Sequence, residues 1–289
     1  MMEHHPSGLA DVAVVEPISR CPLCGGTSVR VIERCGDVRT ELCAQCDVAY
    51  LSPVPSLPEL GDHYDEGYYR DWITSQQRAR RRLWRQRLAL VRARRAGGDL
   101  LDVGCGDGNF LEAAQDTGFL CAGTELSEYA AERVRRRLRI PVMTGPICAI
   151  EWPVASFDVV TMWHVLEHLT DPRGDLAIVH RLLRPGGLLF IAVPNRLSTI
   201  FNGVYRMIKG SPPPFYTPDE RELHLFHFTP DGLRRLLEGR GFRVMTAGMD
   251  VADADWRKRW TDRAARWWCH LTGINRSLTI LMVAEKLRD

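Results

Sequence analysis

Asp102-Val103-Gly104-Cys105-Gly106-Asp107-Gly108-Asn109 joins a short apolar run (Leu100, Leu101) to a helical pattern (Phe110, Leu111, Ala113, Ala114). The pattern is a strand, a glycine-rich turn and a helix start. Glycines at alternate positions remove the Cβ atoms that would keep a ligand off the backbone. The helix N-terminus beyond them offers unpaired N–H groups to a carboxylate. Asp102 can accept from an ammonium group. Together these suit an amino-acid zwitterion better than a pyrophosphate. Position 109 is Asn109, so the nicotinamide fingerprint G-x-G-x-x-G fails at its third glycine. The next strand ends at Thr124-Glu125, about twenty residues after the turn, where a carboxylate can accept both hydroxyls of a ribose. The competing reading of Glu125 is a solvated strand-end acid.

A second chemistry sits nearer the N-terminus. Cys21-Pro22-Leu23-Cys24 and Cys43-Ala44-Gln45-Cys46 are two C-x2-C pairs with eighteen residues between them. Zinc sites of this form have about 15–20. Two tight knuckles place four thiolates around Zn²⁺, and Gly25 and Gly26 give one of them its backbone freedom. Such a site is closed, so the zinc is expected to be structural. A metal-free remnant is the alternative. Cys35 is not needed as a ligand, and Cys105, Cys121, Cys148 and Cys269 read as small buried residues.

These residues need a scaffold, and 289 residues with 45% apolar content can supply one. The net charge of +2 does not point to a nucleic-acid protein. No segment approaches the roughly 20 apolar residues that cross a bilayer. Met1 to Pro17 reads as a loose leader without the features of a secretory signal. Nine cysteines without such a signal point to reduced thiols or metal, and to the cytoplasm.

The expected organisation is a leader (1–17), a small β-rich zinc-ribbon-like module (18–52), a linker with a basic helix (53–98) and a large domain (99–289). A helix is predicted from about Ser75 to Ala96, stopped by Gly97-Gly98. From Asp99 strands and helices alternate: strands at Asp99–Val103, Phe119–Thr124, Pro141–Thr144, Phe157–Trp163 and Leu188–Val193, with helices between them at Asn109–Thr117, Ser127–Leu138 and Pro172–Leu183. That alternation predicts an α/β fold, a mostly parallel sheet with helices on both faces. Residues 196–228, with Ser211-Pro212-Pro213-Pro214, break the rhythm and read as a lid or substrate insertion. A helix (Pro230–Gly239), a strand (Phe242–Gly248), a basic aromatic helix (about Trp256–Leu271) and a last strand (Leu278–Ala284) follow.

Residues 99–195 resemble class I S-adenosylmethionine-dependent methyltransferases of the small-molecule type, which includes ubiquinone-pathway and natural-product enzymes. The resemblance runs through Leu100–Phe110, Glu125, the stretch Phe157 to His168, Leu183-Arg184-Pro185-Gly186-Gly187, and His224-Leu225-Phe226-His227-Phe228-Thr229-Pro230. It implies a Rossmann-like seven-stranded sheet with its last strand antiparallel. It also implies S-adenosylmethionine as cofactor and S-adenosylhomocysteine as product. By position, Asp102, Gly104, Gly106 and Gly108 would hold the methionine portion, with Cys105, Asn109, Phe110 and Leu126 completing that wall. Glu125 would hold the ribose, and Gly145, Pro146 and Ile147 would border the adenine. Trp163 and His164 would lie near the cofactor or acceptor. A paired-cysteine appendage ahead of such a domain is similar to bacterial deoxysugar and natural-product methyltransferases, which supports the domain order and not a sugar substrate.

The implied reaction is in-line transfer of a methyl group from sulfur. Positioning can contribute roughly 7–11 kcal/mol, and a general base about 10²–10⁴-fold. His164 is the first choice of base, with His168 and His227 as competitors. Tyr64, Tyr68, Tyr69, Asn195, Tyr216 and His224 are candidates to bind the acceptor.

The predicted basic helix carries Arg78, Arg80, Arg81, Arg82, Arg85, Arg87, Arg92, Arg94 and Arg95 without one acid. It reads as a solvated face, with contact to an anionic acceptor, RNA or a membrane surface as the functional alternative. Trp256 through Trp268 reads as cover for a sheet edge or an oligomer contact before it reads as a membrane-surface element. The favoured partner is thus a small-molecule acceptor, anionic ones included. An RNA methyltransferase that grips nucleic acid with the zinc module and arginine helix is the alternative, and a non-catalytic cofactor-binding regulator is a third reading.

Overall fold

The structure is a computed structural model that describes residues 20–55, 77–218, 222–250, 267–269, 271–272 and 275–287. The expectations for the leader, for Tyr64, Tyr68 and Tyr69, and for most of the helix about Trp256–Leu271 lie outside the described residues.

Three strands open the chain: β1 (Val29–Cys35), β2 (Val38–Cys43) and β3 (Ala49–Ser52). The basic helix α1 (Gln77–Arg92) follows. The alternating region then runs β4 (Gly98–Val103), α2 (Asn109–Gln115), β5 (Phe119–Glu125), α3 (Glu128–Leu138), β6 (Val142–Thr144), β7 (Phe157–Trp163), α4 (Pro172–Leu182) and β8 (Leu183–Pro194). After it come α5 (Thr199–Lys209), β9 (Phe226–His227), α6 (Pro230–Glu238), β10 (Phe242–Gly248) and β11 (Thr279–Lys286).

The large sheet has seven strands in the order β10-β11-β8-β7-β4-β5-β6. The pairs among β8, β7, β4, β5 and β6 are parallel, and β11 is antiparallel to both neighbours. The chain therefore starts at the centre with β4, builds outward through β5 and β6, and returns to the other side of β4 with β7. Strand order reverses between β4 and β7, and open α/β sheets bind ligands at the carboxyl end of such a switch point. The central strands are buried on both faces, as Leu100, Leu101, Val159, Val160, Leu189 and Phe190 show. That accounts for their unbroken apolar runs.

The smaller sheet changes the expected domain picture. Its order is β1-β2-β3-β9, and β9 comes from the far end of the region read as a lid. Ala49 pairs with His227 and Tyr50 with Phe226, while Leu51 N–H donates to the Leu225 carbonyl. Residues 20–52 thus share a sheet with the large domain. They share its core as well: Cys21, Leu23, Cys43, Cys46, Val48 and Tyr50 belong to one buried cluster with Phe226, Phe228, Leu233, Ile191 and Met282. The Cys46 knuckle seats α6 directly. A Cβ on Gly232 would meet the Cys46 carbonyl oxygen at 2.8 Å, and Arg235 donates to the Gln45 carbonyl at 2.8 Å.

The region 196–228 carries regular structure among its described residues. It contains α5, and its tail is the edge strand β9. Between them, the Phe215 and Tyr216 N–H groups donate to the Glu33 carboxylate on β1. Arg196 forms an ion pair with Asp47 beside the second knuckle.

Candidate functional site

The glycine turn leaves β4 at the switch point. Gly104, Gly106 and Gly108 have φ of 68°, 54° and 69°, in the left-handed region that glycine enters without a Cβ penalty. Space matters too: a Cβ on Gly104 would meet Val165 at 2.7 Å and one on Gly108 would meet Val134 at 2.7 Å. Asn109 takes the place of a third glycine by closing the turn. Its backbone N–H and side-chain Nδ2 donate to Asp107 at 3.0 and 2.6 Å, and Arg137 reaches Asn109 Oδ1 and the Asp107 carbonyl. Cys105 is buried inside the turn.

Asp102 lies just below. It is 3% exposed, and its Oδ1 accepts from Thr161 Oγ1 at 2.6 Å. Burial pushes its carboxyl up to about 7; Thr161 and Arg87 pull it down, and the nearby carboxylates of Glu125 and Asp107 push it further up. Glu125 closes the other side. Its carboxylate accepts from the Gly106 N–H at 2.8 Å and the Ser127 N–H at 3.0 Å. The solvated strand-end reading fails, since Glu125 is 3% exposed. Gly145 N–H donates to the Glu125 carbonyl, which brings Gly145, Pro146 and Ile147 to the edge of the same crevice. Leu126 is half-buried beside it.

Phe110 and Trp163 are both buried. They meet edge-on at 5.4 Å between centroids. Over Trp163 lies a residue that sequence reasoning missed. Arg87 sits on the Trp163 and Trp84 rings at 4.7 and 4.8 Å, a cation–π arrangement. It donates to the Asp250 carboxylate from both Nε and Nη2. Arg87 is 2% and Asp250 1% exposed. The signal was available: Trp84, Arg87, Leu88 and Val91 fall on one helical stripe, so Arg87 belongs with the apolar side and not with the solvated arginines. Nothing local marks Asp250, which reaches the site from the end of β10.

His164 follows Trp163 with φ of 58°, an uncommon backbone for a non-glycine residue and one that clusters at functional sites. Its Nδ1 lies 3.2 Å from Glu167 Oε1 and its Nε2 3.8 Å from Asp250 Oδ2. Burial alone would lower its pKa, but the bonds to Asp250 and Glu167 outweigh that and raise it to about 9. Both ring nitrogens of this first-choice base thus face carboxylates, which fix the orientation of the ring. His168 Nδ1 donates to the Leu223 carbonyl at 2.8 Å. The His168 and His224 rings are 4.9 Å apart, and His224 and His227 6.2 Å. Burial lowers His224 to about 4 and His227 to about 3, so both are neutral.

Asn195, read as an acceptor ligand, bonds backbone groups with both ends of its amide. Its Nδ2 donates to the Asn275 and Ser277 carbonyls and its Oδ1 accepts from Leu197 N–H; the side chain ties residues 275–277 to the end of β8. Tyr216 packs part-buried against the core. The four cysteines converge, with Cys21 to Cys46 and Cys24 to Cys43 sulfur separations of 3.6 Å.

Comparison with known proteins places these features in one family. The methyltransferase domain model matches residues 76–247. A Mycolicibacterium smegmatis protein named "Probable S-adenosylmethionine-dependent methyltransferase" is 34% identical over 161 residues, 55% of this chain and 56% of its own. A ubiquinone biosynthesis O-methyltransferase of Thiobacillus denitrificans is 38% identical over 112 residues, 37% of this chain and 48% of its own. The chain thus spans about half the length of these relatives. Among solved structures, the Burkholderia thailandensis 1,6-didemethyltoxoflavin-N1-methyltransferase, with its substrate and S-adenosylhomocysteine bound, shares the fold. Its TM-score is 0.54 at 16% identity, with 90% of this chain and 100% of that chain covered.

The Arg87–Asp250 pair gives the site its own test. Removing one partner of a buried pair costs about 3–5 kcal/mol when nothing else compensates the charge left behind, and here His164 stays beside Asp250. Arg87→Leu is expected to lose a part of that in urea unfolding, and Arg87→Leu with Asp250→Leu to lose less than the single variant. Equal loss in the single and double variants would show that packing, and not charge, governs the contact.

Proposed function

The chain belongs to the methyltransferase domain family, and on that premise we propose that it transfers a methyl group from S-adenosylmethionine to a small-molecule acceptor. The observation that carries this reading is the crowding of carboxylates at the switch point. Asp102 is buried with Glu125 and Asp107 close enough to raise its pKa, so the crevice offers negative potential to a cationic donor. A dinucleotide pyrophosphate would meet repulsion there.

In this reading Asp102 accepts from the donor's ammonium group and the turn at Gly104, Gly106 and Gly108 lies against its methionine portion. Glu125 accepts from the ribose hydroxyls with the lone pairs its two amide bonds leave over. Residues 145–147 border the adenine. The bound donor supplies an electrophilic methyl on a sulfonium. The protein's contribution is then alignment of the acceptor and exclusion of water. His164 acts as a positioning residue, tying the loop after β7 to Asp250 and Glu167. His168, His224 and His227, with Tyr216, face the acceptor side. That the acceptor is small is supported by the names of the relatives, a ubiquinone O-methyltransferase and a toxoflavin-precursor N-methyltransferase.

Cys21, Cys24, Cys43 and Cys46 hold a structural zinc in the same proposal. Zn–S bonds of about 2.3 Å put tetrahedral sulfurs about 3.8 Å apart, close to the 3.6 Å separations here. The Gly26 N–H donates to Cys24 Sγ, as a thiolate ligand requires. The zinc fixes the knuckles on which Arg235 and α6 rest. Cys43→Ser should release the metal and lower the melting temperature. A wild-type protein purified with no zinc, and indifferent to chelator, would contradict the assignment.

The donor site carries a pH signature. With Asp102 at about 7 in the free protein, an ammonium ligand favours the ionised carboxylate and expels a proton. Affinity for S-adenosylhomocysteine should therefore fall as pH drops below about 7 and level off above it. Asp102→Asn should weaken binding at least tenfold and flatten the dependence. Full affinity and an unchanged pH profile in that variant would remove Asp102 from the site.

A further inference from the structure

Glu167, His168 and His224 meet at a point to which the methyl-transfer reading gives no defined chemistry. One ligand atom from each lies within 4.8 Å of the others. Glu167 and His168 come from the short 3-10 turn after β7, Leu166–His168, and His224 from the segment that leads into β9. The bond from His168 Nδ1 to the Leu223 carbonyl orients that ring, and His168 Nε2 stands 4.0 Å from Glu167 Oε1. A backbone carbonyl bonded to the far nitrogen is how metal-ligating histidines are commonly oriented. The Glu167 side chain is fully buried. Its Oε1 is engaged by His164, while its Oε2 has no hydrogen-bond partner among the described residues. A buried carboxylate oxygen without a partner is costly. His164 already pairs with this carboxylate, so two further imidazoles are more than charge balance needs.

We propose that Glu167, His168 and His224 bind a divalent first-row transition metal, at a site separate from the four-cysteine cluster. Two imidazoles and a carboxylate suit Zn²⁺, Fe²⁺, Co²⁺ or Mn²⁺, whereas Mg²⁺ and Ca²⁺ prefer all-oxygen shells. Bonds of about 2.0–2.1 Å would draw the three ligand atoms to roughly 3.3 Å from one another, a movement within reach of the half-buried His224 ring. Three protein ligands leave a coordination position open, in contrast to the closed cysteine site. His227 borders the site; its Nε2 is buried without a partner among the described residues.

The test is a Co²⁺ titration of the full-length protein, read by metal content and by absorption. It does not depend on methyl transfer. Thiolate ligation gives a sulfur-to-cobalt charge-transfer band, and a nitrogen–oxygen site gives weak ligand-field bands alone. The wild-type protein should take up cobalt with the second signature in addition to any thiolate-ligated ion. His224→Ala and Glu167→Gln should each abolish that second uptake and leave the thiolate band, which also reports that the variant is folded. Uptake by the wild type confined to thiolate-ligated cobalt overturns the proposal without recourse to any variant. Persistence of the second ion in both variants overturns it as well.

Discussion

Buried negative charge at the carboxyl ends of β4, β5 and β7 is the constraint around which this molecule is arranged. Asp102, Asp107, Glu125, Glu167 and Asp250 are each less than 5% exposed. Carboxylates taken out of water must be paired, hydrogen-bonded or protonated. Each has a different solution: Asp250 has Arg87, Glu125 has two amide donors, Asp107 has Asn109 and Arg80, and Glu167 has His164. Asp102 accepts from the Thr161 hydroxyl and sits at about 7. In the proposed function, a cationic ligand completes the set.

The same economy explains why a cysteine module belongs beside this crevice. Strand β9 is two residues long and gains its pairing from β3. Without the sheet β1-β2-β3, the stretch from Leu223 to Phe228 would have no edge to lie on, and His224 and His227 would lose their positions. The ring of contacts closes through Arg196 and Asp47, Glu33 and the Phe215 backbone, and Gly232 against Cys46. A structural metal at the knuckles would therefore act on the proposed acceptor side at a distance, by fixing β9 with His227 and the segment with His224 that leads into it.

Much of this could be read from local pattern. The glycine turn, the acid at the end of the second strand and the βα alternation are short-range signals, and the seven-stranded sheet with its antiparallel last strand was implied by the family resemblance. What escaped depends on contacts distant in sequence. Asn195 was read as an acceptor ligand because residues 275–277, which it clamps, cannot be placed beside it from sequence. The carboxylate that Asp250 brings to His164 gives no local sign in the sequence. Within the span 196–228, read as a lid or substrate insertion, the strand β9 escaped because two residues carry no periodicity and their pairing partner lies far away in the chain. Arg87 is the exception: the stripe Trp84, Arg87, Leu88, Val91 marked it, and a uniform arginine background hid it.

Calorimetric titration of the full chain with S-adenosylhomocysteine, and separately with a nicotinamide dinucleotide, tests the central claim most directly. A single saturable event with the thioether nucleoside and none with the dinucleotide is the expected result. Saturable heat from the dinucleotide alone would contradict the account.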